Sequence, residues 1–398
     1  MSFSIDRLLA PNTLQAFRDS HYESQPFLIQ RASPHYYDEL ITIEAVSEHL
    51  GQAKLSSTDI RLVKEGDEMA SREFTYPARS AFDGLVNQET LFARFYDGST
   101  MILNAFERHC AKMFHFTQTV ERAFHATVQA NLYLTPRESR GFGPHWDDHD
   151  VFVLQFNGAK EWSIYDSPDV LTTRNRLFKE EDYASVEPSL RVVLERGDLL
   201  YVPRGFVHRA RSLSEISAHV TVGIFTFKYA ELLRRMLDDP ESHAWLRRSL
   251  PVCIDPDEFP VEEFLAHVRA FLATTDVRKA LARLRDQYAG SRMPDATRRL
   301  MDYAELPALD RTTRVRTRRS FHEFAVEDSF IVLKLNNRPI RFPLEAEESL
   351  RSIDDLEEFE VHSLPGDLDD AGKVDLCATL VREGFLTIVE GDATRRKA

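Results

Sequence analysis

The sequence predicts an α+β fold: an antiparallel β-barrel, then a helical segment, then a small mixed module. Three observations carry this. Up to about Phe227 the apolar residues of the central third recur with period two, as in SAHVTVGIF, bounded by turn residues. From about Lys228 the period becomes 3.6, with Phe264, Val268, Phe271 and Leu272 on one stripe. From Ser320 onward short strands alternate with short helices. The expected domains are 1–228, 229–310 and 311–398.

In chain order, Leu8, Leu9, Leu14 and Phe17 have helical spacing, and Pro26 to Ile29 reads as an apolar strand. His21-Tyr22-Glu23 has the look of a ligand pair, but with no partner motif downstream it reads as solvated surface. Residues 61 to 128 mix strand and amphipathic helix, with Leu85 to Phe95 and Thr100 to Phe116 expected to be buried. The barrel is expected from about Gln129 to Phe227.

Within the barrel, residues 141 to 162 read GFGPHWDDHDVFVLQFNGAKEW. His145 and Asp147 are two apart, so on a strand both side chains point to one face and can grip one ion. Residues 197 to 208 read GDLLYVPRGFVH. The spacing of Gly197, Pro203, Gly205 and His208 resembles the second signature of cupin barrels: a turn, a short apolar strand, and a Pro-x-Gly bend that aims His208 inward. Two His and one carboxylate on one face make a facial triad, which leaves positions open on a non-haem Fe(II). The first cupin signature normally supplies a Glu as well, and that position holds Val151, which moves the reading from a four-ligand site towards an oxygenase. His125, His149 and His219 compete as ligands on composition and read as core or supporting histidines.

Lys160, on the strand after the Asn157-Gly158 turn, offers the cation that a buried dicarboxylate needs. Asn131, in NLYLTP, is a hydrogen-bonding candidate on the strand that leads into the site.

The run NLYLTPRESRGFGPHWDDHDVFVLQFNGAKEW, with GDLLYVPRGFVHRA and SAHVTVGIFTF, resembles the JmjC-type cupin 2-oxoglutarate oxygenases, most closely the ribosomal oxygenase branch that hydroxylates protein side chains. The resemblance implies a double-stranded β-helix (jelly-roll) barrel, Fe(II) held by His145, Asp147 and His208, 2-oxoglutarate held by Lys160, and Asn131 and Tyr133 lining the pocket. It also implies dioxygen as a substrate. Where relatives place a Ser, this chain has Gly223, which removes one expected co-substrate hydrogen bond.

Composition bounds the partners. The chain has 398 residues and a formal net charge of −14, which argues against a phosphate-binding surface over the whole molecule and is compatible with a basic protein partner. No apolar run approaches the ~18 to 20 residues of a membrane span. The three cysteines, Cys110, Cys253 and Cys377, are far apart, as expected of a reducing cytoplasm.

In the helical segment, YAELLRRMLDDPESHAWLRRSL and VEEFLAHVRAFLATTDVRKALARLRDQYAG carry apolar stripes that must be covered, by the same chain or by a second copy. The resembled family uses this segment for a homodimer. Arg311 to Arg319 reads as a basic connector. The strands FIVLKLNN and PIRFPL around an Asn336-Asn337 turn, the acidic helix near Glu345 to Ile353, the strand FEVHSL, the helix AGKVDLCATLVREG and the strand FLTIVEG resemble a winged-helix module. Its carboxylates would repel DNA, so no direct DNA binding is expected.

Three functions remain open on sequence: a 2-oxoglutarate oxygenase acting on a protein or peptide side chain, with a basic ribosomal protein as the expected class; the same chemistry on a small molecule or natural-product peptide; or a non-catalytic metal-binding cupin module.

Overall fold

The computed structural model describes residues 3–389 apart from 167–170, 174–177, 179–182, 184, 214–215, 240, 242, 251–256, 258, 319, 321 and 336–337. Cys253, Arg319 and the Asn336-Asn337 turn lie outside the described residues. The chain divides into two compact units, Met1–Thr226 and Phe227–Ala398.

The first unit opens with helices α1 (Ile5–Leu9) and α2 (Leu14–Ser20), strand β1 (Phe27–Ile29), helix α3 (Ile43–Gln52), strands β2 (Ile60–Lys64) and β3 (Asp67–Glu68), helix α4 (Gln88–Tyr96), strand β4 (Thr100–Leu103) and helix α5 (Ala111–Phe124). Each of α1 to α4 begins where a side chain can accept an otherwise unpaired backbone N–H: Ser4, Thr13, Thr42 and Asn87. Strands β5 (Thr127–Thr135), β6 (Asp150–Asn157), β7 (Lys160–Ile164), β8 (Leu190–Leu194), β9 (Leu199–Val202), β10 (His208–Ser212) and β11 (Ser217–Phe225) follow.

These strands form two antiparallel sheets. The larger has the order β1-β9-β6-β11-β5-β4-β2-β3 and the smaller β10-β7-β8. Strand alternation divides the work. Val128, Ala130, Leu132 and Leu134 of β5, Phe152, Leu154 and Phe156 of β6, and Ala218, Val220, Val222 and Ile224 of β11 join Leu8, Leu9, Phe17, Phe116 and Val120 in the main core. The opposite face packs Val151, Val153, Leu200 and Val202 against Trp162, Ile164 and Leu194 of the small sheet. A cavity opens on this second face.

One reading of the N-terminal segment is corrected. His21-Tyr22-Glu23 is not solvated: Glu23 pairs with the buried Arg204 at 2.7 Å, and its backbone N–H donates to the Tyr201 hydroxyl at 3.0 Å. Tyr22 packs on the core.

The second unit contains helices α6 (Tyr229–Leu237), α7 (Val261–Thr274), α8 (Val277–Ser291) and α9 (Arg299–Glu305). The long amphipathic run is two helices, because Thr275 turns out of α7 and Asp276 caps α8, accepting from the backbone of Arg278 and Lys279. Then come β12 (Arg314–Thr317), β13 (His322–Glu327), β14 (Phe330–Leu335), β15 (Arg338–Pro343), α10 (Glu347–Ser352), β16 (Glu358–Glu360), α11 (Asp370–Glu383) and β17 (Leu386–Ile388). The basic connector is therefore partly a strand: β12 is the centre of the sheet β16-β12-β17, with Val315 fully buried while Arg314 and Arg316 reach out to Glu358. Alternation, hidden by the arginines, was the signal. Among the described residues no helix is long and apolar enough to cross a membrane.

Candidate metal and co-substrate site

His145 and Asp147 do not sit on a continuous strand. His145 forms a single bridge with His208, first residue of β10, through reciprocal backbone hydrogen bonds of 3.1 and 2.8 Å. The Asp147 carbonyl accepts from Gly205 N at 3.0 Å. The loop carrying the first two side chains is thereby stitched at two points to the Pro-x-Gly bend carrying the third.

The three side chains converge: one ligand atom from each of His145, Asp147 and His208 lies within 4.8 Å of the others. Each histidine faces a backbone carbonyl through Nδ1, His145 to Gly143 at 2.9 Å and His208 to Phe206 at 3.0 Å. A carbonyl can only accept, so Nδ1 carries the hydrogen in both rings. Both Nε2 lone pairs are therefore free for an ion. Burial works against the Asp147 charge, yet His208 and His145 beside it hold the carboxyl below its usual range. Burial, reinforced by the charge of His145, lowers His208. Two neutral imidazoles and a carboxylate are a donor set suited to a divalent first-row metal. Val151, at the position of the cupin Glu, is an apolar cavity wall and leaves the set at three.

The triad opens into a cavity of about 330 Å³ lined also by Arg61, Asn131, Tyr133, Lys160, Trp162, His219 and Thr221, a volume in the range of small-ligand sites. Lys160 is 4% exposed, and its described hydrogen bond goes to a hydroxyl, Thr135 Oγ1, at 3.0 Å. Burial pulls its ammonium down to about 7. A buried amine held by a neutral hydroxyl could be offset by a ligand's negative charge.

Asn131, Tyr133 and Thr135 alternate along the cavity face of β5. Asn131 Oδ1 accepts from Ala105 N and Gln129 Nε2, both at 3.0 Å, which turns the amide into a fixed part of the wall. Burial, then the Asp147 charge, pushes the Tyr133 hydroxyl up to about 12. Sequence reasoning passed over Thr135, although the same period of two that selects Asn131 and Tyr133 selects it.

The competing histidines separate. His125 is exposed and ends α5 in a left-handed conformation. His149 and His219 both line the cavity. His149 lies over Gly223: a Cβ there would stand 2.7 Å from its ring. The space of the missing serine is occupied by an imidazole.

A family model described as JmjC domain matches residues 102–232. A bifunctional lysine-specific demethylase and histidyl-hydroxylase NO66 of Aedes aegypti is 29% identical over 321 residues, covering 75% of this chain and 49% of the relative. The NO66 of Drosophila yakuba is 34% identical, covering 62% and 36%. Ribosomal oxygenase 1 of Gallus gallus is 32% identical, covering 55% and 36%. The chain thus spans about half or less of these relatives. Among solved structures, the ribosomal oxygenase YcfD of Escherichia coli in complex with cobalt and 2-oxoglutarate is similar with a TM-score of 0.53 at 16% identity, covering 96% of this chain and 99% of that one. This likeness extends the shared fold beyond the barrel.

Proposed function

We propose that the chain, whose residues 102–232 match the JmjC domain model, is an Fe(II)- and 2-oxoglutarate-dependent oxygenase that hydroxylates a protein side chain, with a ribosomal protein as the substrate class. The observation that carries this reading is the convergence of His145, Asp147 and His208, with both imidazole Nε2 lone pairs free, beside an amine buried without a carboxylate partner in its described contacts.

In this reading His145, Asp147 and His208 hold the metal and leave coordination positions for co-substrate and dioxygen. When bound, Fe(II) and 2-oxoglutarate supply the oxidising chemistry. The chain supplies position. The carbonyls of Gly143 and Phe206 fix the tautomers and the ring orientations. Lys160 binds the distal carboxylate of 2-oxoglutarate, whose charge restores the ammonium that burial disfavours. Tyr133, Asn131 and the apolar Val151, Val153 and Trp162 shape the cavity and exclude water around the reacting atoms.

The reading includes a cytoplasmic homodimer formed by the segment 229–310 and a winged-helix-like module over 311–398. The exposed apolar residues of α6, Tyr229, Leu233 and Leu237, support the dimer. Arg299, Arg318 and Asp302 tie α9, which precedes this module, to its β17 and α11.

The test is 2-oxoglutarate-coupled oxygen uptake with ribosomal protein peptides, together with mass spectrometry of the host's ribosomal fraction with and without the protein. A +16 Da side chain that depends on His145 and His208 is expected. No co-substrate turnover with any protein fraction would leave the non-catalytic cupin as the better reading.

A further inference from the structure

His219 is placed with unusual care for a core residue. The pairing of β11 with β6 slips between Ala218, opposite Asn157, and His219, opposite Gln155. The extra residue of this bulge is Phe156, on β6, so β11 itself runs on without interruption. On its other side β11 keeps an unbroken register with β5, in which His219 stands opposite Tyr133; the imidazole lies on the Tyr133 ring, with ring planes 8° apart and centroids at 4.8 Å, and under the edge of Trp162 at 5.6 Å. The residue is 2% exposed, and it lines the cavity together with Lys160.

Its two nitrogens differ. Nδ1 is enclosed and has no hydrogen-bond partner, whereas Nε2 is not among the enclosed unpartnered atoms. A buried N–H without an acceptor is rarer than a buried lone pair without a donor, so Nδ1 takes the lone pair and Nε2 the hydrogen. Burial, then the Lys160 charge, holds the ring well below the usual imidazole range, so it is neutral. The cavity therefore holds a neutral N–H donor within electrostatic reach of the Lys160 ammonium that lines it.

We propose that His219 is a second binding residue for the ligand carboxylate that Lys160 attracts, its Nε2–H donating to one carboxylate oxygen while Lys160 serves the other. The inference rests on the oxygenase reading and adds a residue to it. Lys160 alone is a point charge and would hold any anion. A fixed donor beside it demands the two oxygens of a carboxylate, and so makes the site selective for 2-oxo acids with a distal acid group. A histidine that merely filled space against Tyr133 would contribute shape and nothing specific to charge.

The test is calorimetric titration of the Mn(II)-loaded protein with 2-oxoglutarate and with 2-oxobutyrate, which lacks the distal carboxylate. His219→Phe keeps the ring stack and removes the donor. The expected result is a loss of about tenfold or more in 2-oxoglutarate affinity, the size of a hydrogen bond to a charged group, with 2-oxobutyrate and Mn(II) affinities unchanged. An equal loss for both acids, or no loss for either, overturns the inference. If His219→Phe does not fold, His219→Gln is compared with His219→Met. The glutamine is expected to bind 2-oxoglutarate at least several-fold more tightly, and equality overturns the proposal. A wild-type protein that binds neither acid overturns the oxygenase reading itself, whereas normal wild-type binding with an unaffected His219→Phe overturns only the role of His219.

Discussion

The imidazole of His149 rests on the backbone of Gly223. A Cβ at residue 223 would meet His149 Cδ2 at 2.7 Å and Nε2 at 2.8 Å. The ring cannot simply yield, because Phe225 stacks on it at 4.2 Å and Asp148 Oδ1 lies 3.1 Å from its Nδ1. Glycine at 223 is thus explained by what its neighbour occupies, since the strand conformation there does not require it. One wall of the cavity beside the triad has exchanged a strand side chain for a ring from the adjoining loop.

Gly223→Ser is therefore expected to destabilise the protein by about 1–3 kcal/mol, the usual cost of overpacking. His149→Ala alone leaves a gap, and the double variant His149→Ala with Gly223→Ser is expected to recover most of the loss. Urea unfolding of the four proteins measures the coupling. Strict additivity would mean that the two positions do not share that space.

Replacing Lys160 separates binding from stability. Lys160→Met removes a buried amine and keeps the apolar stem, so the metal-loaded protein is expected to lose more than tenfold in 2-oxoglutarate affinity while unfolding at a higher urea concentration at pH 6. Unchanged affinity for the co-substrate would remove Lys160 from the site.

The pH dependence follows from the same residue. Its folded value near 7 lies below the ordinary lysine value of 10.5, so between these limits the unfolded chain binds more protons than the folded one. Stability contributed through Lys160 therefore rises as pH increases from about 7 to 10.5. The groups around the amine, Thr135, Thr100 behind it and the neutral His219, do not titrate in that window in a way that reverses the sign. The wild-type minus Lys160→Met difference in unfolding free energy, measured across this range, is expected to climb. A flat difference would show that the amine is not desolvated.

The legible part of the site was the part written in spacing. His145, Asp147, His208 and Lys160 sit in short motifs whose turns, Gly197-Asp198 and Pro203-x-Gly205, carry their own geometry. Strand β12 was read as a connector because a valine between arginines is a weak local signal that packing decides, and the helix break at Thr275-Asp276 was not located because a capping aspartate inside an amphipathic run is equally weak. His149 over Gly223 and the stack of His219 on Tyr133 could not be read from the chain. Each is a contact between elements distant in sequence, fixed only once β11 is registered against β5 and β6.

Behind the site, Arg204 of the Pro-x-Gly bend pairs with Glu23, while Tyr201 donates to Asp150 at 2.6 Å. Burial raises the Asp150 carboxyl, so the network tolerates little more charge. Glu23→Ala would leave the Arg204 guanidinium, 6% exposed, without its carboxylate. A loss of about 2–4 kcal/mol is expected in chemical denaturation, somewhat below the cost of breaking a fully buried pair because Glu23 is partly exposed. A change within 0.5 kcal/mol would show that water already serves Arg204.

The last prediction concerns assembly. Helix α6 has two apolar faces. One, with Met236 and Leu232, packs with Phe271 and Ala280 in a small cluster of the second unit. The other presents Tyr229, Leu233 and Leu237 at successive turns, each at least half exposed, and Leu300 and Tyr303 of α9 are exposed to about four-fifths. A stripe at i, i+4 and i+8 left uncovered on a helix that already has a buried face is the pattern of a helix that packs on both sides. Two copies of the chain meeting through this stripe would bury it twice by symmetry. Sedimentation velocity at low micromolar concentration is expected to give a dimer, and Leu233→Glu with Leu237→Glu to shift it to monomer without loss of helical circular dichroism. Wild-type protein that sediments as a monomer across that range would assign the stripe to another partner or to none.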